Sequence, residues 1–255
     1  MNIFKRTENW FIRIFESAGE QVILLFQTLI DIKDVFFRRD KVFKEMLKMG
    51  YNSLPLASMI IFFTGMVVAL QTGIVLRRYG SEQLIGSIVA LSMVKEMGPV
   101  ITSIIVSGRV GSAMAAEIGN MSVSEEIDSL RMMGISPVSY LAMPRLVGSM
   151  TMLPILIGYA IIIGIIGGGI VTVSYLKVGV MLYYKQVMRS ILLDDIARAL
   201  VKAFVFGIII SNSSCYSGFK TQYGTADVGQ STTRAVVLSF SLILISDFFL
   251  TRFLE

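Results

Sequence analysis

The chain has no histidine and a single cysteine, Cys215. Without imidazole it can build neither a Ser–His or Cys–His nucleophile pair nor a zinc site that uses histidine, and one thiol excludes an intrachain disulfide and a multi-thiolate metal centre. Charge is scarce too: 16% of the 255 residues are Asp, Glu, Lys or Arg, where a soluble domain carries roughly 25%. The phosphate-cradling pattern Gly-x-x-x-x-Gly-Lys-Ser/Thr is missing. Gly218-Phe219-Lys220-Thr221 lacks both the adjacent Gly-Lys and the leading glycine, so any ATP energy must come from another subunit. The basic excess, 23 Lys and Arg over 18 Asp and Glu, is small and not interleaved with aromatics, which argues against a nucleic-acid partner.

What the chain has instead is apolar sequence, 54% of its residues, gathered into long uncharged runs. These predict an all-α integral membrane protein. Residues 8–30 place Phe11, Ile14, Phe15, Ala18, Val22, Leu25, Phe26 and Leu29 at helical spacing with charges between them, an amphipathic helix expected to lie in the membrane interface. Charge from Lys5 to Glu20 leaves no signal-peptide core, so the mature chain is expected to start at Met1. Basic residues recur through 31–48, suiting an anionic cytoplasmic leaflet. The division is thus an interfacial region, 1–48, and a transmembrane domain, 49–255. Within the latter, spans are expected at Met49–Leu76, 83–108, Leu146–Leu176, Ala203–Phe219 and Ala235–Leu250. The third run is too long for a straight crossing and predicts tilt or a break near Pro154 or Gly167–Gly169. Five spans with a basic N-terminal flank put the N-terminus, 109–145 and 220–234 on the cytoplasmic side.

Three constellations stand out. Ser103, Ser107, Gly111, Ala115 and Gly119 recur every fourth residue and allow another backbone to approach, either within the chain or at a subunit interface; Gly164 and Gly168 make a smaller pair of the same kind. Lys95 and Glu96 lie inside the second span and are followed by Gly98-Pro99, where a proline frees a carbonyl; the pair reads as a structural ion pair or as the polar lining of a transport path or ligand cavity. Around 120–134, Ser122 and Glu125 have capping-box spacing and Gly134 with Pro137 supplies a stop, predicting a short helix outside the bilayer. Ile127, Leu130 and Met133 give it an apolar edge suited to a partner's groove, or it is a surface connector.

The run Ala90–Val100, continued through Ser107–Met121, resembles the signature of the MlaE/YrbE permease family, the membrane subunits of ABC transporters that move phospholipids or related lipids. Gly65–Gln71 with Tyr79, the Glu125–Gly134 helix, and Thr232–Val237 followed by Asp247 add to the likeness, which covers residue 50 to the C-terminus. The resemblance implies a homodimeric, multi-pass permease of the bacterial inner membrane with an interfacial N-terminus and about five spans. Its implied partners are a cytoplasmic ATPase holding ATP and Mg, a periplasmic MCE-domain lipid-binding protein and, in Mla-type relatives, a cytoplasmic STAS protein. The implied task is passage of phospholipid between inner membrane and MCE protein, which maintains outer-membrane lipid asymmetry. The implied lipid cavity maps to Leu70, Gln71, Leu76, Tyr79, Lys95 and Glu96, and the implied ATPase contact to Glu125, Glu126, Ile127, Asp128 and Leu130. Arg77 and Arg78 beside that cavity depart from the pattern. The chain itself is expected to bind no metal or cofactor and to catalyse no reaction. Two rivals are an ion-coupled carrier or channel relaying charge through Lys95, Glu96 and Asp247, and a lipid-modifying enzyme, weakened by the missing histidine.

Overall fold

The computed structural model describes residues 2–222 and 224–254, with side chains described for all of these except 2–15, 34, 36 and 37. Phe11, Ile14 and Phe15 of the expected amphipathic face therefore lie outside the described side chains. Every described element is helical: α1 (Asn2–Ile30), a 3-10 stretch (Asp31–Arg38), α2 (Arg39–Arg78), α3 (Glu82–Val123), α4 (Glu126–Met132), α5 (Val138–Ser174), α6 (Val180–Ser190), α7 (Leu193–Phe219) and α8 (Gly224–Leu254). Helices α2, α3, α5 and α8 are long and apolar enough to cross a membrane by length and composition. The fourth expected span, Ala203–Phe219, sits in α7, which at 27 residues is about 40 Å long. It is less apolar because its inner face is covered by α3, α5 and α8 rather than by lipid.

α2 runs without interruption from the basic stretch into the first span, so its start precedes the expected one by ten residues. Its buried positions Met49, Ser53, Ala57, Ile61, Gly65, Ala69 and Gly73 recur every fourth residue, a narrow row of mostly small side chains. Along that row α5 makes the most extensive helix pair of the molecule. A Cβ on Gly65 would overlap the carbonyl oxygen of Gly164, and one on Gly167 that of Phe62. Here the two backbones touch, and only glycine fits. Neither Pro154 nor Gly167–Gly169 breaks α5, which is continuous through both.

The row Ser103, Ser107, Gly111, Ala115 is buried within the chain, and its Gly111 and Ala115 meet α7: a Cβ on Gly111 would lie 2.9 Å from Ser214 Oγ, and one on Gly218 3.0 Å from the Ala115 carbonyl. From the far side of that contact, a Cβ on Gly218 would lie 2.7 Å from Ile118 Cβ. Small residues on both partners draw α3 and α7 together.

α1 turns Ser17, Glu20, Gln21, Leu24 and Thr28 toward the bundle and leaves Val22, Ile23, Phe26 and Ile30 exposed. A helix with its polar edge on protein and its apolar edge outward suits a lipid surroundings rather than water. It is tied to the end of α7, where the Tyr216 hydroxyl donates to Glu20 Oε2 at 2.7 Å, Lys220 pairs with the same carboxylate, and Asn212 donates to the Gln21 carbonyl at 3.2 Å.

Candidate functional site

The second span carries its charges on a distorted stretch of helix. Residues Met93–Met97 form a π turn in which the Gly98 N–H reaches back to the Met93 carbonyl, and Pro99 follows, with no N–H to give the Lys95 carbonyl. That carbonyl accepts from Lys202 Nζ of α7 at 2.9 Å. The same ammonium donates to Glu96 Oε1 at 2.9 Å and to Thr251 Oγ1 at 2.8 Å, which accounts for its three hydrogens. Asp247 Oδ1 lies 2.9 Å from it as an ion pair without a hydrogen bond. Thr251 in turn donates to Glu96 at 3.0 Å.

Beside this knot Lys95 Nζ lies 3.6 Å from Asp195 Oδ1. Asp195 is the third residue of α7, and its other oxygen accepts from the Leu192 N–H at 3.2 Å, one half of a capping box. The start of α7 and the counter-ion of Lys95 are therefore set by the same carboxylate. Three helices, α3, α7 and α8, are pinned together by five charged side chains, of which Lys95, Glu96 and Asp247 lie inside the expected spans. The Lys202 side chain is 4% exposed, whereas those of Lys95 and Glu96 are 35% and 36% exposed. The knot is thus a buried anchor with two charges presented outward. The cleft lined by Lys95, Glu96, Asp195, Arg198, Lys202 and Thr251 measures about 20 Å³, room for about one water. Any larger ligand must sit on the outer side of Lys95 and Glu96.

Of the six residues expected at a lipid cavity, the chain brings Lys95 and Glu96 to α7 and α8, not to the first span. Leu76 packs against the cluster of Ile61, Ala69, Ile85 and Val89, Leu70 is half-buried, and Gln71 and Tyr79 are exposed. Arg77 pairs with Glu82 at 3.2 Å across the turn that follows α2. Asp195, Lys202 and Thr251 were not among the expected site residues. Asp195, Ala199, Lys202 and Phe206 recur at three- or four-residue spacing, and that periodicity is the signal that α7 begins at Leu193, ten residues ahead of the expected span.

At the opposite end of the spans, α4 differs from its expected form. Ser122 belongs to α3 and donates to the Thr221 carbonyl at 2.8 Å, so it caps nothing. Glu125, at φ +59°, makes the turn between α3 and α4 instead. Gly134, at φ +73°, closes α4 with the Ile135 N–H on the Leu130 carbonyl at 2.9 Å and its own N–H on Arg131 at 3.0 Å, a Schellman stop. Ile127 and Leu130 do not form a free apolar edge: they are buried against Leu24, Ile118 and Leu141 of their own chain. What α4 offers outward is Glu126, Asp128, Arg131 and two methionines, Met132 being 82% exposed.

Comparison with known proteins gives a consistent result. The family model described as Permease MlaE matches residues 42–253. A probable ABC transporter permease protein of Rickettsia typhi is 36% identical over 100% of this chain and 98% of its own length. The chloroplast protein trigalactosyldiacylglycerol 1 of Arabidopsis thaliana is 38% identical over 82% of this chain and 60% of its own length. The intermembrane phospholipid transport system permease protein MlaE of Haemophilus influenzae is 32% identical over 94% and 92%.

Proposed function

The chain belongs to the MlaE permease family of ABC transporter permeases, and on that premise we propose that it moves phospholipid between the inner membrane and a periplasmic MCE-domain protein. It does so as a homodimer driven by a separate cytoplasmic ATPase that holds ATP and Mg, with a STAS protein attending that ATPase, and so maintains outer-membrane lipid asymmetry. The observation that carries this reading is the knot at Lys202. Charges inside a span are costly without protein, water or a ligand to meet them, and here the protein satisfies Lys202 completely while leaving Lys95 and Glu96 partly uncovered. A headgroup carrying both phosphate and a donor complements that pair. Gln71 and Tyr79, exposed on one chain, are then available to line the cavity from the first span, with Leu70 and Leu76 against acyl chain and the second copy closing it. Glu125, Glu126 and Asp128 at α4 receive the ATPase.

Photo-crosslinkers at positions 71, 79 and 96 in native membranes are expected to capture phospholipid, and Glu96→Lys to abolish ATP-dependent lipid transfer while the dimer persists. Crosslinks to protein alone at all three positions would reduce the cluster to a structural anchor. Ion flux through the isolated chain in liposomes, without any ATPase, would favour the ion-coupled carrier instead.

A further inference from the structure

A second polar pocket lies at the other end of the spans, about 210 Å³ in volume and lined by Lys41, Lys44, Glu45, Tyr140, Pro144 and Arg145. Its depth follows from sequence. Glu45 stands four residues before the uncharged run that begins at Met49, and Arg145 one residue before the run that begins at Leu146. Both spans run in the same direction, so the two residues meet at one edge of the hydrocarbon core, on the side expected to be cytoplasmic. That is headgroup depth.

Arg145 is only 5% exposed. Its Nη2 donates to Glu117 at 3.1 Å and its Nε lies 3.6 Å from Glu45 Oε1, but Nη1 is buried with no hydrogen-bond partner among the described residues. Oε2 of Glu45, a residue of the same lining, is likewise buried with none among the described residues. Lys48 turns away from the pocket and pairs with Glu117. Lys41 and Arg38 stand over the Tyr140 ring, 3.0 and 5.3 Å from its centroid, and Lys44 is exposed with no counter-ion among the described residues. Three cations and one carboxylate therefore line the pocket, and two of these residues, Arg145 and Glu45, each keep a buried polar atom without a hydrogen-bond partner among the described residues. Buried groups of this kind are costly unless a ligand or water completes them.

An anion alone would satisfy Arg145 and leave Glu45 facing more negative charge. A cation alone would do the reverse. We propose that the pocket binds a phosphate ester that also bears an ammonium group, the phosphoethanolamine class. The phosphate rests on Arg145, Lys41 and Lys44 by charge-assisted hydrogen bonds, and the ammonium donates to Glu45. The pocket's headgroup depth makes a phospholipid of that leaflet the source, and Phe43 and Leu47, exposed on the same turns of α2, are apolar surface of the kind a membrane covers. The assignment stands apart from transport and needs no ATPase.

The test uses the full chain, purified in detergent, stripped of lipid and titrated with phosphatidylethanolamine, phosphatidylglycerol or phosphatidylcholine, with bound lipid counted by native mass spectrometry. One phosphatidylethanolamine per chain is expected to be lost in Lys41→Ala/Lys44→Ala, with affinity falling about tenfold or more. A lipid at Lys95 and Glu96 remains, so loss of the transport reading leaves this count unaffected. Glu45→Gln is expected to keep phosphate-dependent binding and lose the preference for phosphatidylethanolamine over phosphatidylglycerol. Glycerophosphoethanolamine competing as well as the intact lipid would identify a soluble ester as the source; failure to compete identifies the bilayer lipid. Unchanged stoichiometry in the double lysine variant overturns the proposal and leaves Arg145 and Glu45 as an internal pair. Should Glu45→Gln fail to fold, half-buried Lys41 and exposed Lys44 still decide it.

Discussion

Lys202 Nζ donates to the backbone carbonyl of Lys95 at 2.9 Å, the carbonyl whose i+4 donor position is occupied by Pro99. A proline in a buried helix needs another donor for the acceptor it orphans. Here that donor is a side chain from a neighbouring span, which also pairs with both Glu96 and Asp247. One ammonium therefore links the irregularity of α3 to the charge balance of three helices.

Lys202→Met removes the cation and leaves two carboxylates and a carbonyl converging on a methyl group. Breaking a buried ion pair from one side typically costs about 3–5 kcal/mol. The purified variant is expected to unfold at a clearly lower temperature than the parent, and a second change, Asp247→Asn, to recover part of the loss. An unaltered midpoint in Lys202→Met would show that water, not Lys202, balances the carboxylates.

Two glycines that look alike in sequence should respond differently to alanine. At Gly65 the added carbon meets the Gly164 carbonyl, backbone that cannot step aside, whereas at Gly111 it meets Ser214 Oγ at 2.9 Å, a side-chain atom that can rotate. Overpacking costs about 1–3 kcal/mol, and Gly65→Ala should fall at or above the top of that range while Gly111→Ala stays near its foot. Thermal unfolding of both variants in the same detergent measures the difference. Equal destabilisation would mean that the α2–α5 contact yields as easily as the α3–α7 one.

The long apolar runs expose four of the spans directly, because a lipid-facing helix must be apolar along its length. α7 is harder to read: its polar side chains are covered by other helices, so Lys202 falls just outside a span begun at Ala203, and its role appears only once Asp195, Ala199 and Lys202 are seen as one helical face. The row Ser53, Ala57, Ile61, Gly65, Ala69 is as regular as the one from Ser103, yet what it packs against is a tertiary fact. Capping at Ser122 failed for a different reason. Its hydroxyl found the Thr221 carbonyl, and a residue at positive φ, Glu125, took over the turn.

Charge and apolar residues of α4 should separate into two functions. Glu126 and Asp128 are exposed, so Glu126→Lys/Asp128→Lys is expected to leave the unfolding temperature unchanged while the ATPase no longer co-purifies. Ile127→Ala and Leu130→Ala instead empty a buried cluster and should destabilise the chain by about 2–4 kcal/mol. Co-purification of an active ATPase with the charge-reversed chain would remove α4 from the interface.

The attachment of α1 should depend on pH in a defined sense. The Lys220 ammonium, and then the Tyr216 hydroxyl, hold the Glu20 carboxyl below its ordinary value of 4.5. A lowered carboxylate contributes fully above its unfolded value, and the contribution is lost as pH falls through the folded one. Lys220 is drawn down by desolvation but raised further by Glu20 and Tyr216, ending above 10.5. Its contribution is complete below that value and fades only in stronger alkali. The docked position of α1 should therefore hold steady from about pH 5 to about pH 10 and loosen on acidification below 4.5. A spin label at exposed Ala18 reports this as a broad, immobilised spectrum that sharpens in acid as the label becomes mobile. In Glu20→Gln the acid transition should vanish and the label should be mobile at neutral pH as well. If the variant keeps the parent's acid transition, some other carboxylate ties α1 to the bundle.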